Sequence, residues 1–594
     1  MTGLPHYKGL EMRQSFFTKR GRCARGERTG AVKHLTDMFA CRTSAFRDER
    51  TRLRILPSHV KLTRGRVEGA ETLLKDLPAQ SFLGETADCR MENGEGGERA
   101  ALLLDFGRET HGTVLVTVSR VQSESTRAKL RIRFGESVME ALSPVGEKNA
   151  GNDHAVRDHV YDVGQYGTVQ TNESGFRFVY LELESEDTAV HLLSVQHCMI
   201  YRDIPYLGSF RCDDELLNTI WKTAAYTVHL NMQDYLWDGI KRDRLAWQGD
   251  MHTEVLAIED VFGGNPVVPK TLDFLRDRTP QGEWINGYSA YTLWWIVVQA
   301  EVYRYTGDLA YLREQKDFLV RQLERAASFV DADGSEILPP FRFLDWKNLG
   351  DEEATHAGLQ SLMVMAVREA IPLLEALGEK EAAGRCAELL QKLCRHVPQP
   401  GSSKQAAALL ALAGIADAKA CNREVIRPGG AAGYSTFMGY YLLAAKAMAG
   451  DYAGALDDLR TYWGGMLQMG ATSFWEDFDL RWMENAARID EIPREGQKDI
   501  HGDYGMYCYL GYRHSLCHGW SAGPVPYLMR CVAGIRIEEP GCRTIRITPQ
   551  LGNLKFVEVS YPTPPGILKV RHTEQADGSV RTEYEAPEGM TVIV

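Results

Sequence analysis

Three short stretches of this chain gather carboxylates, tryptophans and a histidine at spacings that could do chemistry. The first, "YLWDGIKRDRLAWQGDMHTE" at residues 235–254, sets Asp238, Asp243, Asp250 and Glu254 among Lys241, Arg242, Arg244, Trp237 and Trp247. A helix starting near Asp243 would place Asp243, Trp247, Asp250 and Glu254 on one face, with Asp238 in the preceding loop and Leu245, Leu256 and Ile258 behind for packing. Acids mixed with Lys and Arg on a helix usually make a solvated, salt-bridged face. Two features oppose that reading. Trp247 interrupts the acidic row, and Gly239 and Gly249 flank the acids where a surface helix prefers Ala, Glu or Lys.

The second stretch is "GGMLQMGATSFWEDFDLRW" at 464–482, in which Gly470 ends a helix and Trp475, Glu476, Asp477 and Asp479 follow. Alone, it reads equally well as a loop with packed aromatics and acids facing water. The third, "GYRHSLCHGWSAGPVPYL" at 511–528, sets His518 among Cys517, Gly519 and Trp520. A lone histidine among small residues is most often a hydrogen-bonded structural group. The three together are more specific. Two carboxylate-plus-tryptophan loops on one scaffold suit inverting glycoside hydrolysis, in which one carboxylic acid protonates the leaving oxygen and a second carboxylate activates water on the opposite sugar face. Tryptophan faces would stack on the sugar's C–H groups.

The elements that must position these residues change period along the chain. Residues 67–205 alternate apolar and polar in short runs with turn signals, as in "GFRFVYLELESED", and predict a β-sandwich. From 206 to 530 apolar residues recur at helical spacing, opening on an Asp cap before Leu216, Ile220, Trp221, Ala224 and Val228. Ten to twelve helices joined by short Gly or Pro turns suit a closed toroid of helical hairpins, and no strict repeat points to a solenoid. Residues 531–594 return to β patterns and predict a small terminal β-sandwich. Residues 1–66 carry a net charge of +11 and read as a basic, solvated extension, while the remaining residues carry −23. An acidic body argues against a nucleic-acid enzyme. The 12 cysteines form no CxxC pair and read as buried, reduced thiols. No secretory apolar region and no long apolar span are apparent, so a cytoplasmic location is expected. No cofactor or metal is expected; the expected partner is a carbohydrate, with further copies of the chain compatible and neither nucleic acid nor membrane anticipated.

The same residues resemble, in order, the motifs of the α-L-rhamnosidases of glycoside hydrolase family 78. That family's central motif, Asp then Arg-acid-Arg-Leu-x-Trp then Gly-Asp, stands here as "DGIKRDRLAWQGD". Its Gly-Ala-Thr-x-x-Trp-Glu stands as "GATSFWED", its Asp-Trp pair as "FLDW" at Asp345-Trp346, and its Ser-x-x-His as "SLCH" ending at His518. The resemblance runs from about residue 70 to the end. It implies a β-sandwich, an (α/α)6 barrel and a terminal β-sandwich. It also implies an inverting exo-hydrolase of terminal α-L-rhamnose or a related sugar. Asp243 would be the general acid and Glu476 the general base. Asp238 and Asp250 would hold sugar hydroxyls, and Arg242, Trp247, Trp346, Trp475 and His518 would line the sugar pocket. One position departs from the family pattern: its acid is usually Glu. Asp243 reaches about 1.5 Å less far, a displacement that can cost about 10²-fold in rate. Alternatives at this point are a phosphorylase or a hydrolase for another sugar on the same scaffold, and a carbohydrate-binding protein without turnover.

Overall fold

Alternating stretches of the N-terminal third pair into a single ten-stranded sheet. The computed structural model describes residues 49–76, 79–84, 88–506 and 509–594. The spine of the sheet is the long strand Ala101–Gln122, antiparallel to Thr188–Tyr201 on one side and Ser174–Leu183 on the other. Its register with Ser174–Leu183 jumps between Asp105 and Thr110, a bulge in which Gly107 takes φ 84°. The bulge serves the rest of the molecule. Arg177 grips Asp105 with two nitrogens, at 2.9 and 3.0 Å, and reaches the Gly470 carbonyl at 3.3 Å, tying the sheet to the loop that carries Glu476.

Strands begin earlier than the alternation predicts. Thr51–Ile55 and His59–Arg64, both inside the stretch expected to be a solvated extension, pair with Thr188–Tyr201 and with Ala101–Gln122. Their Arg and Lys side chains occupy exposed positions of the strands, a common guard on sheet edges. The basic composition therefore masked a strand pattern. Residues 1–48 of that extension lie outside the described residues.

The helical region opens as its cap signal predicts: the Asp214 carboxylate accepts from the amides of Leu216 and Leu217 at the head of Glu215–Asn231. Gly307, Gly378 and Gly414 end later helices in the left-handed conformation. Alternate helices pack on one another in sequence: Met251–Phe262, Ser289–Thr306, Glu352–Leu377, Lys404–Ala413 and Gly439–Met448. The segment from Gly519 to Val532 packs back against Met251–Phe262. Glu352–Leu377 is long and apolar enough by composition to cross a bilayer, but 78% of its apolar 18-residue window is buried inside the protein, as suits a core helix. Beyond residue 532 come a three-stranded sheet and a four-stranded one. The latter takes its edge strand, Ser209–Cys212, from the start of the region expected to be helical. The order is thus sheet-rich, helical, sheet-rich, with the three motif loops (residues 232–250, 469–483 and 511–523) between helices.

Candidate active site

Residues 236–250 are not helical, contrary to the one-face reading of the first motif; the helix begins only at Met251. The segment is a buried loop tied down by its own polar groups. Asp238 pairs with Leu245 twice, donating its amide to the Leu245 carbonyl at 3.1 Å and accepting the Leu245 amide on Oδ1 at 3.0 Å. Gly239 bridges to His518, and the Gly519 amide donates to the Asp238 carbonyl at 2.8 Å. Arg244 turns the chain with φ 59°. The two glycines that looked wrong for a surface helix are explained by close approach. A Cβ on Gly239 would lie 2.7 Å from the Arg242 carbonyl, and one on Gly249 would lie 2.4 Å from the Tyr291 ring. Leu245, expected to pack, is exposed, whereas Leu256 and Ile258 are buried.

The loop brings the predicted carboxylates together without helical periodicity. Arg242 is the hub. Its Nη2 donates to Glu476 Oε1, its Nη1 donates to Asp243 Oδ1 at 2.9 Å, and its Nε donates to the Arg513 carbonyl at 2.9 Å. The guanidinium also lies over the Tyr509 ring. Glu476 is buried. Its second oxygen accepts the Ser515 amide at 3.0 Å, and its backbone is held by Ser515, Thr436 and Trp520. Burial pushes its pKa up, but Arg242, followed by His518 and His514, outweighs burial and holds the carboxyl below the usual glutamate range. The group is a carboxylate at neutral pH, the state a general base requires.

His518 sits behind this pair. Its Nε2 is 3.0 Å from Asp250 Oδ1 and its Nδ1 is 3.8 Å from Glu476 Oε1. Burial opposes charging the ring, yet Glu476, Asp250 and Asp238 together raise its pKa to about 9, so it is an imidazolium. Asp250 caps no amide at the head of its helix and turns to His518 instead. Burial is the largest influence on Asp238 and Asp250 and pushes both carboxyls upward. Glu254 lies one turn further along, with both oxygens buried and unpartnered. Burial, then Asp250 and Asp238, raises it well above the ordinary value. A Cβ on Gly519 would fall 1.6 Å from Glu254 Oε1, which is why the residue after His518 has no side chain.

The surroundings of Asp243 are more open. The Asp243 side chain is 21% exposed against 2% for Glu476. Its Oδ1 takes Arg242, and its Oδ2 accepts Trp247 Nε1 at 3.2 Å. Trp247 is half-buried and edges against Tyr288 and Tyr291. Trp346, also half-buried, edges against Phe343 and against Tyr509, the ring under Arg242, which brings it to the same neighbourhood. Its partner in the motif, Asp345, is buried and accepts from Ser435 Oγ at 2.5 Å. Trp475 departs from expectation. It is 1% exposed and packs edge-on against Phe478 and His514, so it braces the Glu476 loop from beneath and offers no face to a sugar.

With this geometry in view, comparison with known proteins places the chain. Residues 205–399 match the family model described as the bacterial alpha-L-rhamnosidase 6 hairpin glycosidase domain, and residues 534–594 match the bacterial alpha-L-rhamnosidase C-terminal domain. Both regions are similar to bacterial α-L-rhamnosidase domains. Solved structures agree on the fold. A family 78 rhamnosidase of Bacillus sp. GL1 superposes with TM-score 0.72 at 22% identity, covering 88% of this chain and 55% of its own. A rhamnosidase from Klebsiella oxytoca with rhamnose bound gives 0.62 at 19%, covering 81% and 96%. An α-L-rhamnosidase of Streptomyces avermitilis complexed with L-rhamnose gives 0.64 at 17%, covering 83% and 48%. The chain thus spans 55% of the length of the Bacillus protein. No curated protein matches the chain in sequence. The rhamnosidase hairpin match takes in Asp238, Arg242, Asp243, Trp247, Asp250 and Trp346; Glu476 and His518 lie between the two matched regions.

Several residues that brace this candidate site were not singled out by sequence. Lys241, inside the first motif, is buried and donates to the carbonyls of Tyr512 and His514 at 2.9 and 2.7 Å. It also pairs with Glu136 at 2.8 Å and Glu140 at 3.3 Å, both from the N-terminal sheet-rich region. Glu136, Glu140 and His501 are close enough to hold a metal ion together, and the Lys241 ammonium pairs with both carboxylates. Glu136 in turn accepts the Leu516 amide at 2.7 Å, next to the Ser515 amide that binds Glu476. Only the position of Lys241 beside Arg242 hinted at this. The partners come from the other end of the chain, where no local pattern marks them.

Proposed function

We propose that this protein is an inverting glycoside hydrolase that removes a terminal α-L-rhamnose, or a closely related sugar, from a glycoside. The observation that carries the reading is Arg242. One guanidinium holds two carboxylates, a buried one kept ionised (Glu476) and a part-exposed one at the mouth (Asp243). That is the division of labour inverting hydrolysis requires, with Glu476 taking a proton from water and the Asp243 side serving the leaving oxygen. Asp238, Asp250 and the His518 imidazolium form a polar floor suited to sugar hydroxyls and to charge developing at the anomeric carbon. Trp247 and Trp346 supply the half-buried aromatic walls. The described helices suit an (α/α)6 toroid between two sandwich-like ends. The nine described cysteines are all unpaired and mostly buried, which favours a reducing, cytoplasmic setting.

The test is proton NMR of a p-nitrophenyl α-L-rhamnoside digest, read before the product mutarotates. Release of β-L-rhamnose first supports the reading; α-L-rhamnose first means retention and refutes the base role of Glu476. Turnover that requires added phosphate would instead mark a phosphorylase.

A further inference from the structure

The acid side contains a group that the sequence motifs do not include. His154, on the loop between the strands Arg127–Gly135 and Asp158–Gly164 of the N-terminal sheet, places Nε2 3.5 Å from Asp243 Oδ1. Its side chain is 27% exposed, so the ring is partly open to solvent. Its backbone is left-handed, φ 67°, a conformation that costs a non-glycine residue energy and tends to persist where the surroundings impose it.

The surroundings do impose it. Asn152 Oδ1 accepts the amides of Arg157 and Asp158 at 3.1 and 3.0 Å, and its Nδ2 donates to the Asp158 carbonyl at 2.9 Å. Arg513 Nη1 clamps Asp153, whose carboxylate is also 3.5 Å from His154 Nε2. A Cβ on Gly151 would lie 2.3 Å from Asp153 Oδ1, so the glycine leaves room for that carboxylate to fold back over the turn. The carbonyl of Arg513 accepts Arg242 Nε, which links the loop carrying His154 to the arginine that holds both carboxylates. The charged groups around the ring are therefore Asp153 and Asp243 directly, with Arg242 and Arg513 one step behind.

Asp243 is poorly placed to act alone. A donating acid must turn one oxygen and its proton toward the leaving group. Both Asp243 oxygens instead face protein donors, Oδ1 toward Arg242 and His154, Oδ2 toward Trp247. The side chain is also one methylene shorter than the glutamate of the family pattern. We propose that His154 delivers the proton to the departing oxygen and that Asp243 orients its ring, a dyad in which an imidazole supplies the reach the aspartate lacks.

The step balances. The bond between the anomeric carbon and the glycosidic oxygen breaks, and its electron pair goes to that oxygen. The oxygen takes a proton from the His154 imidazolium. A water oxygen bonds to the anomeric carbon as Glu476 accepts one of its protons. Neutral His154 then regains a proton from solvent, and Glu476 releases one.

The dyad rests on the hydrolytic reading above, and the experiment separates the two. Steady-state kcat/KM is measured for methyl α-L-rhamnoside, whose leaving group needs protonation, and for p-nitrophenyl α-L-rhamnoside, whose leaving group barely does. His154→Ala should lower kcat/KM for the methyl glycoside by about 10²–10⁴-fold and lower that for the nitrophenyl glycoside less than about tenfold. His154→Ala combined with Asp243→Glu should regain part of the methyl glycoside rate, because the longer carboxyl reaches. Circular dichroism and the melting temperature of His154→Ala check the fold. Equal losses on both substrates, or no loss on either, overturn the dyad. A wild-type protein inert on both glycosides defeats the hydrolytic reading itself, and the dyad with it.

Discussion

The two halves of the candidate site are built on different principles. The base side is interior. Glu476, His518, Asp250 and Asp238 are all buried, and each partner is fixed by backbone amides or by another charge. The acid side is a rim where a loop of the sheet-rich region meets a loop of the helical region, and its carboxyl and imidazole are both partly wet. Buried charge is costly unless paired and hydrogen-bonded, so the base side tolerates little variation. A rim tolerates exchange of Glu for Asp if a neighbour covers the missing reach. The difference explains how one half can follow the family pattern while the other departs from it.

The largest effect expected is on the base side. Glu476→Gln should lower kcat by about 10³-fold or more on both nitrophenyl and methyl glycosides while circular dichroism stays native. Its insensitivity to leaving group would contrast with that of His154→Ala, and residual activity near wild type would break the division between the halves. Because Arg242, His518 and His514 hold Glu476 below the usual glutamate value, the acidic limb of the kcat/KM profile should lie below the range of an ordinary glutamate.

Next comes the strut beneath the base side. Lys241→Met leaves Glu136 and Glu140 buried without their cation, and denaturant unfolding should show a loss of about 3–5 kcal/mol. Loss confined to activity, with stability intact, would show that the cluster is not a structural anchor.

A smaller, pH-dependent effect is expected for His518. Its folded pKa is raised to about 9 from an ordinary value of about 6.5. Its stabilising contribution is therefore full below about pH 6.5 and is lost as the pH rises through about 9. The stability gap between wild type and His518→Gln should narrow by roughly 1–3 kcal/mol over that window, read by urea unfolding. A gap that widens would mean that the ring is neutral in the folded protein.

The smallest expected effects separate the tryptophans. Trp247→Phe removes the donor to Asp243 Oδ2 and should lower kcat severalfold, about 1 kcal/mol, with little change in melting temperature. Trp475→Phe should do the reverse, lowering stability and leaving KM unchanged, because that ring touches Phe478 and His514 rather than the pocket. A rise in KM for Trp475→Phe would restore it to the sugar wall.

Much was legible in the chain itself. Period and caps marked the sheet-rich, helical, sheet-rich order, because alternation and helical spacing are local properties of burial. The acid, glycine and tryptophan types in "DGIKRDRLAWQGD", "FWED" and "SLCH" named Asp243, Glu476, Asp250 and His518 as companions. Only tertiary structure decided how they meet. The first motif is a loop closed by Asp238, Leu245 and His518, not a helix face, since hydrogen bonds to residues far along the chain outweigh the local pattern. Trp475 lies under the site rather than in it because its ring fills space between Phe478 and His514. His154 joins Asp243 from another region entirely, through a left-handed turn clamped by Arg513. Spacing within a motif carries no information about what a distant loop brings to it; packing does.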